Sequence, residues 1–400
     1  MKPLILSAST LTTCLGRGLD NTLEALHAQK SGLVPCHFET VDLETHVGEV
    51  AGLDEVVIDD ALSIYDCRNH RLAFLGLLQD GFIEAVQAAA RRHGADRIGV
   101  FIGTSTSGIL ETELAYRHRD PATGALPASF NYPTTHSPFS VAEFVRKLLQ
   151  LSGPVSTASA ACASSAKVFA SAQRMIEAGL IDAAVVGGVD SLCLTTLYGF
   201  NSLELVAKGP CRPFDALRDG ISIGEGAAFA LLESISGSTH DDAILLMGVG
   251  ESSDAHHMSS PRPDGLGARM AMEAALHAGN ATPDRVGYIN FHGTATPSND
   301  AAEGNAVASL FGSKTPGSSS KGATGHALGA AGAIEAIIAA MSIRHRFIPA
   351  GVNTSVADPE IAVDYVIENR SASVDLALSN SFGFGGTNCS LLFGRAGSTR

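Results

Sequence analysis

The sequence predicts an α/β protein made of layered helices and largely parallel sheets. Short apolar segments suited to strands alternate with amphipathic segments suited to helices, as where the helical pattern of 69–93 is followed by the apolar segment 97–102. The same alternation recurs in both halves of the chain. In such proteins helices cover the faces of a mostly parallel sheet, and functional loops collect at the carboxyl ends of the strands.

The elements follow in order from apolar runs and from helix-ending residues. The helix over 69–93 is predicted to end at Gly94, because Arg91, Arg92 and His93 occupy its last turn. Strands are predicted at 3–7, 97–102, 181–188, 227–232, 243–249, 286–290 and 374–378. Helices are predicted at 19–30, 69–93, 140–151, after Cys162 to 177, at 266–278 and at 324–342.

Two parts of the chain resemble each other. Asp-Arg-Ile-Gly-Val at 96–100 leads to Gly-Thr-Ser-Thr at 103–106, and Asp-Arg-Val-Gly-Tyr at 284–288 leads to Gly-Thr-Ala-Thr at 293–296. Each is followed by a loop, a turn of small residues into an Ala-rich helix, and an apolar strand. We therefore predict a duplicated chain, with an N-terminal half at 1–240 and a C-terminal half at 241–400.

Composition excludes several classes of function. The net charge of −14 argues against a broad nucleic-acid-binding surface. The apolar runs are shorter than the ~18 residues of a membrane span, and the N-terminus lacks the apolar run of a signal peptide. The seven cysteines show no Cys-x-x-Cys spacing, which argues against a zinc site or a disulfide framework and favours the reducing cytoplasm.

Cys162 occupies a turn between a strand-like segment and a helix that runs to Glu177. Backbone N–H groups at a helix N-terminus, and the positive end of its dipole, favour thiolate over thiol. The thiolate is the nucleophilic form, so this position predicts a catalytic cysteine. The alternative is a buried structural cysteine in a tight packing turn.

Other strand-end loops contain His292, Lys321, His326 and the Gly-Phe-Gly-Gly turn at 383–386. A lone histidine in such a loop is more often structural, and a lone lysine is usually a solvated surface charge. Together with a cysteine at a helix start, however, they form the pattern of nucleophile and separate histidines that covalent catalysis uses.

Five segments resemble motifs of the β-ketoacyl-acyl carrier protein synthases, in the elongating class with a Cys-His-His site. They follow the family's order and spacing over essentially the whole chain. The segments are 157–165, 212–215 with 224–226, 292–300, 321–332 and 380–388. The resemblance implies a thiolase-like fold, in which two βαβαβαββ halves stack in five layers (α-β-α-β-α).

The resemblance also implies a decarboxylative Claisen condensation. Cys162 would accept an acyl chain from acyl carrier protein, and the enolate from malonyl carrier protein would attack it, giving 3-oxoacyl carrier protein, carbon dioxide and free carrier. The backbone N–H groups of Cys162 and Phe384 would form the oxyanion hole. His292 and His326 would donate hydrogen bonds to the malonyl thioester, and the charge of Lys321 would keep His326 neutral.

Further roles map onto this chain by the same resemblance. Phe384 would also gate the site, Thr294 and Thr296 would face the pantetheine arm, Phe382 would contact substrate, and Thr106 would limit the acyl pocket. No cofactor is implied for the reaction. A structural monovalent or divalent cation is implied in some members, whereas Glu303 and Glu335 could instead be salt-bridged. Its ligands would be Asn290, Glu303, Glu335, Ser379 and Asn380.

The implied partners are acyl carrier protein and a second subunit, without nucleic acid or membrane. Arg68, His70 and Arg71 would form the docking cluster for the carrier. Segments 103–113 and 194–205 resemble synthases of aryl-polyene clusters, which pair with a Cys-lacking homologue, so a homodimer and a heterodimer both stay open.

Three other functions remain as alternatives. They are a coenzyme A-dependent thiolase using Cys389 as a second cysteine, a non-catalytic partner subunit, and a binding module with an inert cysteine.

Overall fold

The structure, a computed structural model, describes residues 1–235 and 240–399. The predicted boundary at 240/241 adjoins residues 236–239, which lie outside the described residues. The first part contains β1 Leu4–Thr13, β2 Gly16–Arg17, α1 Leu19–His27, β3 Val34–Pro35, β4 His46–Gly48, α2 Arg68–Leu77, α3 Phe82–His93, β5 Ile98–Gly103, α4 Ile109–Arg117, α5 Pro138–Leu148, β6 Val155–Ala158, α6 Ser164–Glu177, β7 Ala183–Asp190, α7 Leu194–Ser202, β8 Ile223–Gly224 and β9 Gly226–Ser234. The second contains β10 Ile244–Ser253, α8 Leu266–Ala278, β11 Tyr288–Asn290, α9 Pro297–Phe311, β12 Pro316–Ser318, α10 Lys321–Thr324, α11 Ala331–His345, β13 Phe347–Ile348, β14 Asp364–Tyr365, β15 Arg370–Ser371, β16 Leu376–Gly383 and β17 Thr387–Arg395.

The two parts of the main sheet repeat one topology. The first part has the order β6-β5-β7-β9-β1 and the second has β12-β11-β16-β17-β10. In each, the first three strands are parallel and the last two are antiparallel to their neighbours. With their helices, both parts follow βαβαβαββ along the chain, as the sequence repeat indicates. A short pairing of Leu4 and Ile5 with Leu246 and Leu245 joins the two parts edge to edge.

Helices form three layers around these strands. Helices α6 and α11 pack against each other and against strands of both parts, so they form the middle layer. Helices α2, α3 and α5 cover the outer face of the first part, and α8 and α9 cover that of the second. This arrangement is the predicted five-layer α-β-α-β-α fold. Helices α6 and α11 begin beside the two motifs that contain Cys162 and His326, so the middle layer brings these motifs together.

The middle helix α11 is apolar on all sides because it lies between two sheets. Its residues from Ala331 to Ile343 are all buried. The segment Leu328–His345 is long and apolar enough by composition to cross a membrane, but 89% of it is buried inside the protein. The prediction that no segment reaches the length and composition of a membrane span is therefore wrong, and the core position of the helix explains its composition.

The predicted single helix over 69–93 is two helices, α2 and α3, with a bend of 74° between them. Asp80 and Gly81 adopt the left-handed conformation at this break, with φ of 58° and 65°. The apolar pattern continues through the break because both helices bury one face on the same sheet. Hydropathy alone therefore missed the turn, although Gly81 is a breaker at that position.

The predicted docking cluster for a carrier protein is wrong. Arg68 is buried, and its guanidinium donates to both carboxylate oxygens of buried Glu225 at 3.0 and 2.7 Å. His70 is also buried, with Nδ1 2.6 Å from the Tyr65 carbonyl oxygen. Arg71 is paired with Asp66 through two hydrogen bonds of 2.6 Å. These contacts hold α2 in place. The sequence could not show this, because a charged side chain at a helix start can pair with buried groups or face solvent.

Replacing Arg68 with alanine should strongly destabilise the fold, because the Glu225 carboxylate is left buried without its partner. Removing one member of a buried ion pair typically costs about 3–5 kcal/mol in unfolding free energy. The matched control is Arg269→Ala, which breaks the exposed pair with Glu273 one turn away. Chemical unfolding followed by circular dichroism should separate the two variants. Equal unfolding free energies for both would contradict the structural role of Arg68.

Candidate active site

Cys162 lies in the predicted turn between β6 and α6 and is only 6% exposed. Ala161 adopts a left-handed φ of 49°, which reverses the chain immediately before the cysteine. Ser164 Oγ accepts a hydrogen bond from the Ala160 N–H at 2.8 Å and closes the turn. A Cβ at Gly103 would lie 2.3 Å from the Ser165 nitrogen, so the glycine lets β5 approach the helix start closely. The turn therefore fixes the direction of the thiol.

Burial raises the pKa of the Cys162 thiol to about 11. The Lys321 ammonium and the backbone N–H groups of Phe384 and Cys162 lower it again, but they only partly offset desolvation. The backbone donors therefore act in the predicted direction, toward thiolate, but burial outweighs them. Helix α6 begins at Ser164, so Cys162 precedes the first turn, where the dipole acts most strongly.

His326 presents a proton to the sulfur of Cys162. Its Nε2 lies 3.1 Å from Cys162 Sγ, and its Nδ1 accepts the Leu328 N–H at 3.1 Å. Because a backbone N–H only donates, a neutral His326 must carry its proton on Nε2. Burial and the charge of Lys321 hold the pKa of His326 well below its usual value. His326 is therefore a neutral donor facing the cavity.

The tautomer of His292 is fixed in a similar way, by the ammonium group of Lys321. Lys321 Nζ donates to the His292 carbonyl oxygen at 2.5 Å, lies 3.3 Å from His292 Nδ1, and pairs with Glu335. A donor at Nδ1 places the proton of His292 on Nε2 as well. Burial, the charge of Lys321 and the neighbouring His326 lower the pKa of His292 well below its usual value.

The thiol and the two imidazoles converge. Their ligand-type atoms lie within 4.8 Å of one another, and the two rings are 5.5 Å apart at 85°. Cysteine and histidine are also zinc ligands, but zinc binds the thiolate form of cysteine, and burial raises the pKa of the Cys162 thiol to about 11. The geometry instead suits one carbonyl oxygen held between two N–H donors and beside a nucleophile.

A cavity connects this cluster to the surface, and most of the predicted substrate-contacting residues line it. Phe384 lies on a turn in which Gly385 and Gly386 have φ of 80° and 74°, and its ring is 5.6 Å from that of Phe200. The Thr294 and Thr296 hydroxyls are 2.8 Å apart. The cavity is lined by Cys162, His292, His326, Thr294, Thr296, Phe382, Phe384, Phe200, Leu205 and Ile221, among others.

Thr106 does not line this cavity. Its hydroxyl donates to Asp190 at 2.8 Å and accepts the Ser191 N–H at 3.2 Å, and the residue is buried. The polar group predicted to limit the acyl pocket is therefore turned toward Asp190. Sequence reasoning gave Asp190 no role, although an acidic residue that ends the apolar strand β7 was a usable signal.

Glu303 supports the His292 loop from behind. Its two carboxylate oxygens accept the N–H groups of His292 and Gly293, both at 2.8 Å, and Asn380 donates to it at 3.1 Å. Burial raises the pKa of Glu303 to about 7, and these hydrogen bonds lower it. The sequence predicted Glu303 and Asn380 as cation ligands, and the positioning role was missed because it depends on backbone donors.

Cys389 lies fully buried in β17 and is not among the residues that line the cavity. A thiolase-type second cysteine would have to reach the substrate. The position of Cys389 therefore favours packing, as the sequence context after the Gly-Gly-Thr-Asn turn suggested.

Comparison with known proteins gives the family. Residues 67–237 match the model of the "Beta-ketoacyl synthase, N-terminal domain", and 244–355 match that of the C-terminal domain. A 3-oxoacyl-[acyl-carrier-protein] synthase 2 from Vibrio cholerae is 32% identical, over 98% of this chain and 99% of its own. The chain belongs to the β-ketoacyl synthase family. The mitochondrial synthase of Arabidopsis thaliana is 40% identical over 60% of this chain and 56% of its own.

Solved structures of β-ketoacyl synthases share the fold. The ketosynthase ApeO of Xenorhabdus doucetiae, solved in complex with its chain length factor ApeC, is 35% identical with a TM-score of 0.88, over 99% of this chain and 98% of that one. A β-ketoacyl synthase from Burkholderia phymatum is 28% identical with a TM-score of 0.86, over 99% and 100%. The thiolase-like fold and the acyltransferase class predicted for this synthase are confirmed. Enzymes of this class generally act without a cofactor.

Alkylation of this synthase by iodoacetamide should report the raised pKa of Cys162. Because a thiol with a pKa of about 11 is mostly protonated at neutral pH, its alkylation rate should rise about tenfold per pH unit from pH 7 to 10. Mass spectrometry of the Cys162 peptide measures the rate, with Cys162→Ser as the control for the other cysteines. A plateau reached near pH 7 would instead show a resting thiolate.

Proposed function

We propose that this synthase condenses an acyl chain held on Cys162 with a malonyl unit delivered on acyl carrier protein, and that it releases carbon dioxide. The observation that carries this proposal is the placement of two neutral imidazoles, each with its proton on Nε2, around the sulfur of Cys162. Condensation of this kind builds negative charge on thioester oxygens. The site supplies donors for that charge and a sulfur for the acyl chain.

The first half-reaction loads Cys162. Its sulfur attacks the acyl thioester carbon, the bond from that carbon to the pantetheine sulfur breaks, and the cysteine proton leaves with the departing thiol. The N–H groups of Cys162 and Phe384, which face the sulfur, would stabilise the oxyanion of the tetrahedral intermediate. His326 cannot act as a base at Nε2 while Nε2 carries its proton, so its role in this step is to donate.

The second half-reaction uses the same donors. His292 and His326 donate from Nε2 to the malonyl thioester oxygen, the carboxylate carbon is released as carbon dioxide, and the electron pair forms an enolate. The enolate carbon attacks the acyl carbon on Cys162, and the cysteine leaves as a thiolate that regains a proton from water. Lys321 keeps both imidazoles neutral, which preserves their donors without adding a mobile proton.

A pantetheine arm would enter through the cavity past Thr294 and Thr296, whose hydroxyls line it. The relatives are named for acyl carrier protein. We propose the same carrier for this chain, and we place both proteins in the cytoplasm, where reduced cysteines such as the seven free ones here persist. The carrier surface must lie elsewhere than Arg68 and His70, since both are buried.

A second proposal concerns the subunit partner. ApeO, solved with a chain length factor, matches 99% of this chain at 35% identity, and segments 103–113 and 194–205 resemble aryl-polyene synthases. These observations favour a heterodimer with a Cys-lacking homologue and a polyene-type product over a homodimer in fatty acid synthesis. Co-expression with such a homologue and native mass spectrometry distinguishes the two assemblies, because a persistent homodimer would exclude the heterodimer.

The candidate cation site fits its ligands in part. In the described part of the chain, both amide atoms of Asn290, Glu335 Oε2 and Ser379 Oγ are buried without hydrogen-bond partners. Asn290 and Ser379 are neighbours in register on β11 and β16. Oxygen ligands with one carboxylate suit a hard cation. We propose that these residues hold a structural cation and that it plays no part in the reaction. The other two predicted ligands, Glu303 and Asn380, already use their polar atoms in hydrogen bonds.

Substitutions should separate the two half-reactions. Cys162→Ala should abolish condensation and retain malonyl decarboxylation, because both imidazole donors remain. His326→Gln should lower decarboxylation by about 10²–10³-fold, the usual effect of removing one oxyanion donor. His277→Gln, an exposed histidine on α8, is the matched control. Release of carbon dioxide from malonyl-acyl carrier protein measures decarboxylation, and the mass of the product measures condensation. Full condensation by Cys162→Ala would refute the assignment of Cys162 as the nucleophile.

Cation binding should be visible as thermal stabilisation. The unfolding midpoint should rise when potassium, sodium, magnesium or calcium is added to chelator-treated protein, because binding to the folded state stabilises it. Asn290→Leu should remove the response. Asn69→Leu is the matched control, since Asn69 is also buried with an unpartnered amide but lies on α2. An unchanged response in Asn290→Leu, or none in the wild type, would contradict the site.

A further inference from the structure

The carboxyl group of Asp190 is fully buried at the end of β7. Its Oδ1 accepts the Thr104 hydroxyl at 2.7 Å, the Thr106 hydroxyl at 2.8 Å, and the backbone N–H groups of Ser105 and Thr106, both at 2.8 Å. A carboxylate with this many donors is fixed in place. Burial raises its pKa, and the hydrogen bonds lower it.

The other oxygen of Asp190 holds the turn after His326. Its Oδ2 accepts the Gly329 N–H at 2.5 Å. A Cβ at position 329 would lie 2.7 Å from this oxygen, so glycine permits the approach. Leu328 adopts a left-handed φ of 49°, a strained conformation for a leucine, and donates its N–H to His326 Nδ1. Leu328 therefore sets the tautomer of His326, and the hydrogen bond to Asp190 holds its neighbour Gly329 in place.

The 104–106 loop, which donates to Oδ1 of Asp190, also contacts the turn that precedes Cys162. Ser105 Oγ donates to the Ala161 carbonyl oxygen at 3.3 Å, and the Thr104 N–H donates to the Ala158 carbonyl oxygen at 3.1 Å. Ala161 is the left-handed residue directly before Cys162. One carboxylate thus ties together the turns that carry the nucleophile and its histidine, although they come from opposite halves of the chain.

We propose that Asp190 is a positioning residue for the condensation, because its two oxygens join the turn after His326 to the loop behind Cys162 and so keep the His326 Nε2–H aimed at the thioester. The proposal rests on the roles proposed above for Cys162 and His326. Asp190 acts through Gly329 and Leu328 and not through contact with substrate.

The physical consequence concerns the tautomer. When the Leu328 N–H leaves Nδ1, the imidazole is free to carry its proton on Nδ1, and Nε2 then becomes an acceptor. An acceptor at Nε2 cannot stabilise the malonyl enolate. In that tautomer Nε2 can accept the proton of the Cys162 thiol, and the backbone N–H groups of Cys162 and Phe384 remain, so loading of the acyl chain is less affected than decarboxylation. Loss of Asp190 therefore has a signature that a general loss of folding does not have.

The sharpest variant is Asp190→Asn. Its Oδ1 can keep the donors of the 104–106 loop, while its Nδ2 would face the Gly329 N–H as a second donor. The kcat for malonyl-acyl carrier protein decarboxylation should fall about 10–100-fold with KM unchanged, since misplaced donors lose most of their effect. Acyl transfer to Cys162, followed by intact mass, should fall much less. The matched control is Thr104→Val, which removes one donor from Oδ1 and leaves the Gly329 bond.

The tautomer itself provides a readout that does not depend on activity. In protein labelled with ¹⁵N-histidine, long-range ¹H–¹⁵N spectra should show His326 protonated on Nε2 in wild type and Thr104→Val, and on Nδ1 in a large fraction of Asp190→Asn. The His326 signal is assigned by its loss in His326→Gln. Gly329→Ala leaves the Asp190 carboxylate intact but moves the turn away from it, because a Cβ at position 329 would lie 2.7 Å from Asp190 Oδ2. This variant should show the same change of tautomer, and it replaces Asp190→Asn if that variant does not fold.

The outcomes are distinct. An unchanged tautomer in folded Asp190→Asn, or an equal fall of acyl transfer and decarboxylation, overturns the positioning role. A wild-type protein that does not decarboxylate malonyl-acyl carrier protein refutes the proposed function instead. The tautomer comparison still tests Asp190 in that case, because it needs no substrate.

Discussion

The buried ammonium of Lys321 sets the electrostatics on which the active site depends. Burying a charge is costly, and here Glu335 and the His292 carbonyl oxygen offset that cost. The same charge lowers the pKa of both histidines and opposes the effect of burial on the pKa of Cys162. The site therefore contains neutral donors beside a protonated thiol, and this combination suits charge that appears only during the reaction.

Backbone N–H groups orient the catalytic side chains proposed here and hold their loops in place. The N–H of Leu328 sets the tautomer of His326, and Glu303 holds the N–H groups of His292 and Gly293. The left-handed residues Ala161 and Leu328 set the course of the backbone just before Cys162 and just after His326. Donors fixed in this way need little reorganisation when negative charge forms, which is the physical basis of electrostatic preorganisation.

The duplicated fold explains how remote residues meet. Cys162 lies between β6 and α6, and the Lys321–His326 segment lies between β12 and α11, so the two motifs occupy equivalent positions in the two parts of the chain. Because α6 and α11 pack together in the middle layer, their starts are brought side by side. Asp190 then joins the adjoining loops by hydrogen bonds, which links the two halves at the candidate active site.

The sequence by itself determined the fold class, the repeat and the family, and it predicted the convergence of Cys162, His292, Lys321 and His326, because these depend on local periodicity and on residue types at fixed spacing. It missed the break at Gly81 and helix α9, and it misplaced Arg68 and His70, since a charged or polar residue looks the same in sequence whether it is buried or exposed. Only the tertiary structure decided the protonation of the thiol and the tautomers of the histidines. The reason is physical: a pKa depends on desolvation, and a tautomer depends on which N–H lies opposite Nδ1, and both are set by segments far apart in the chain.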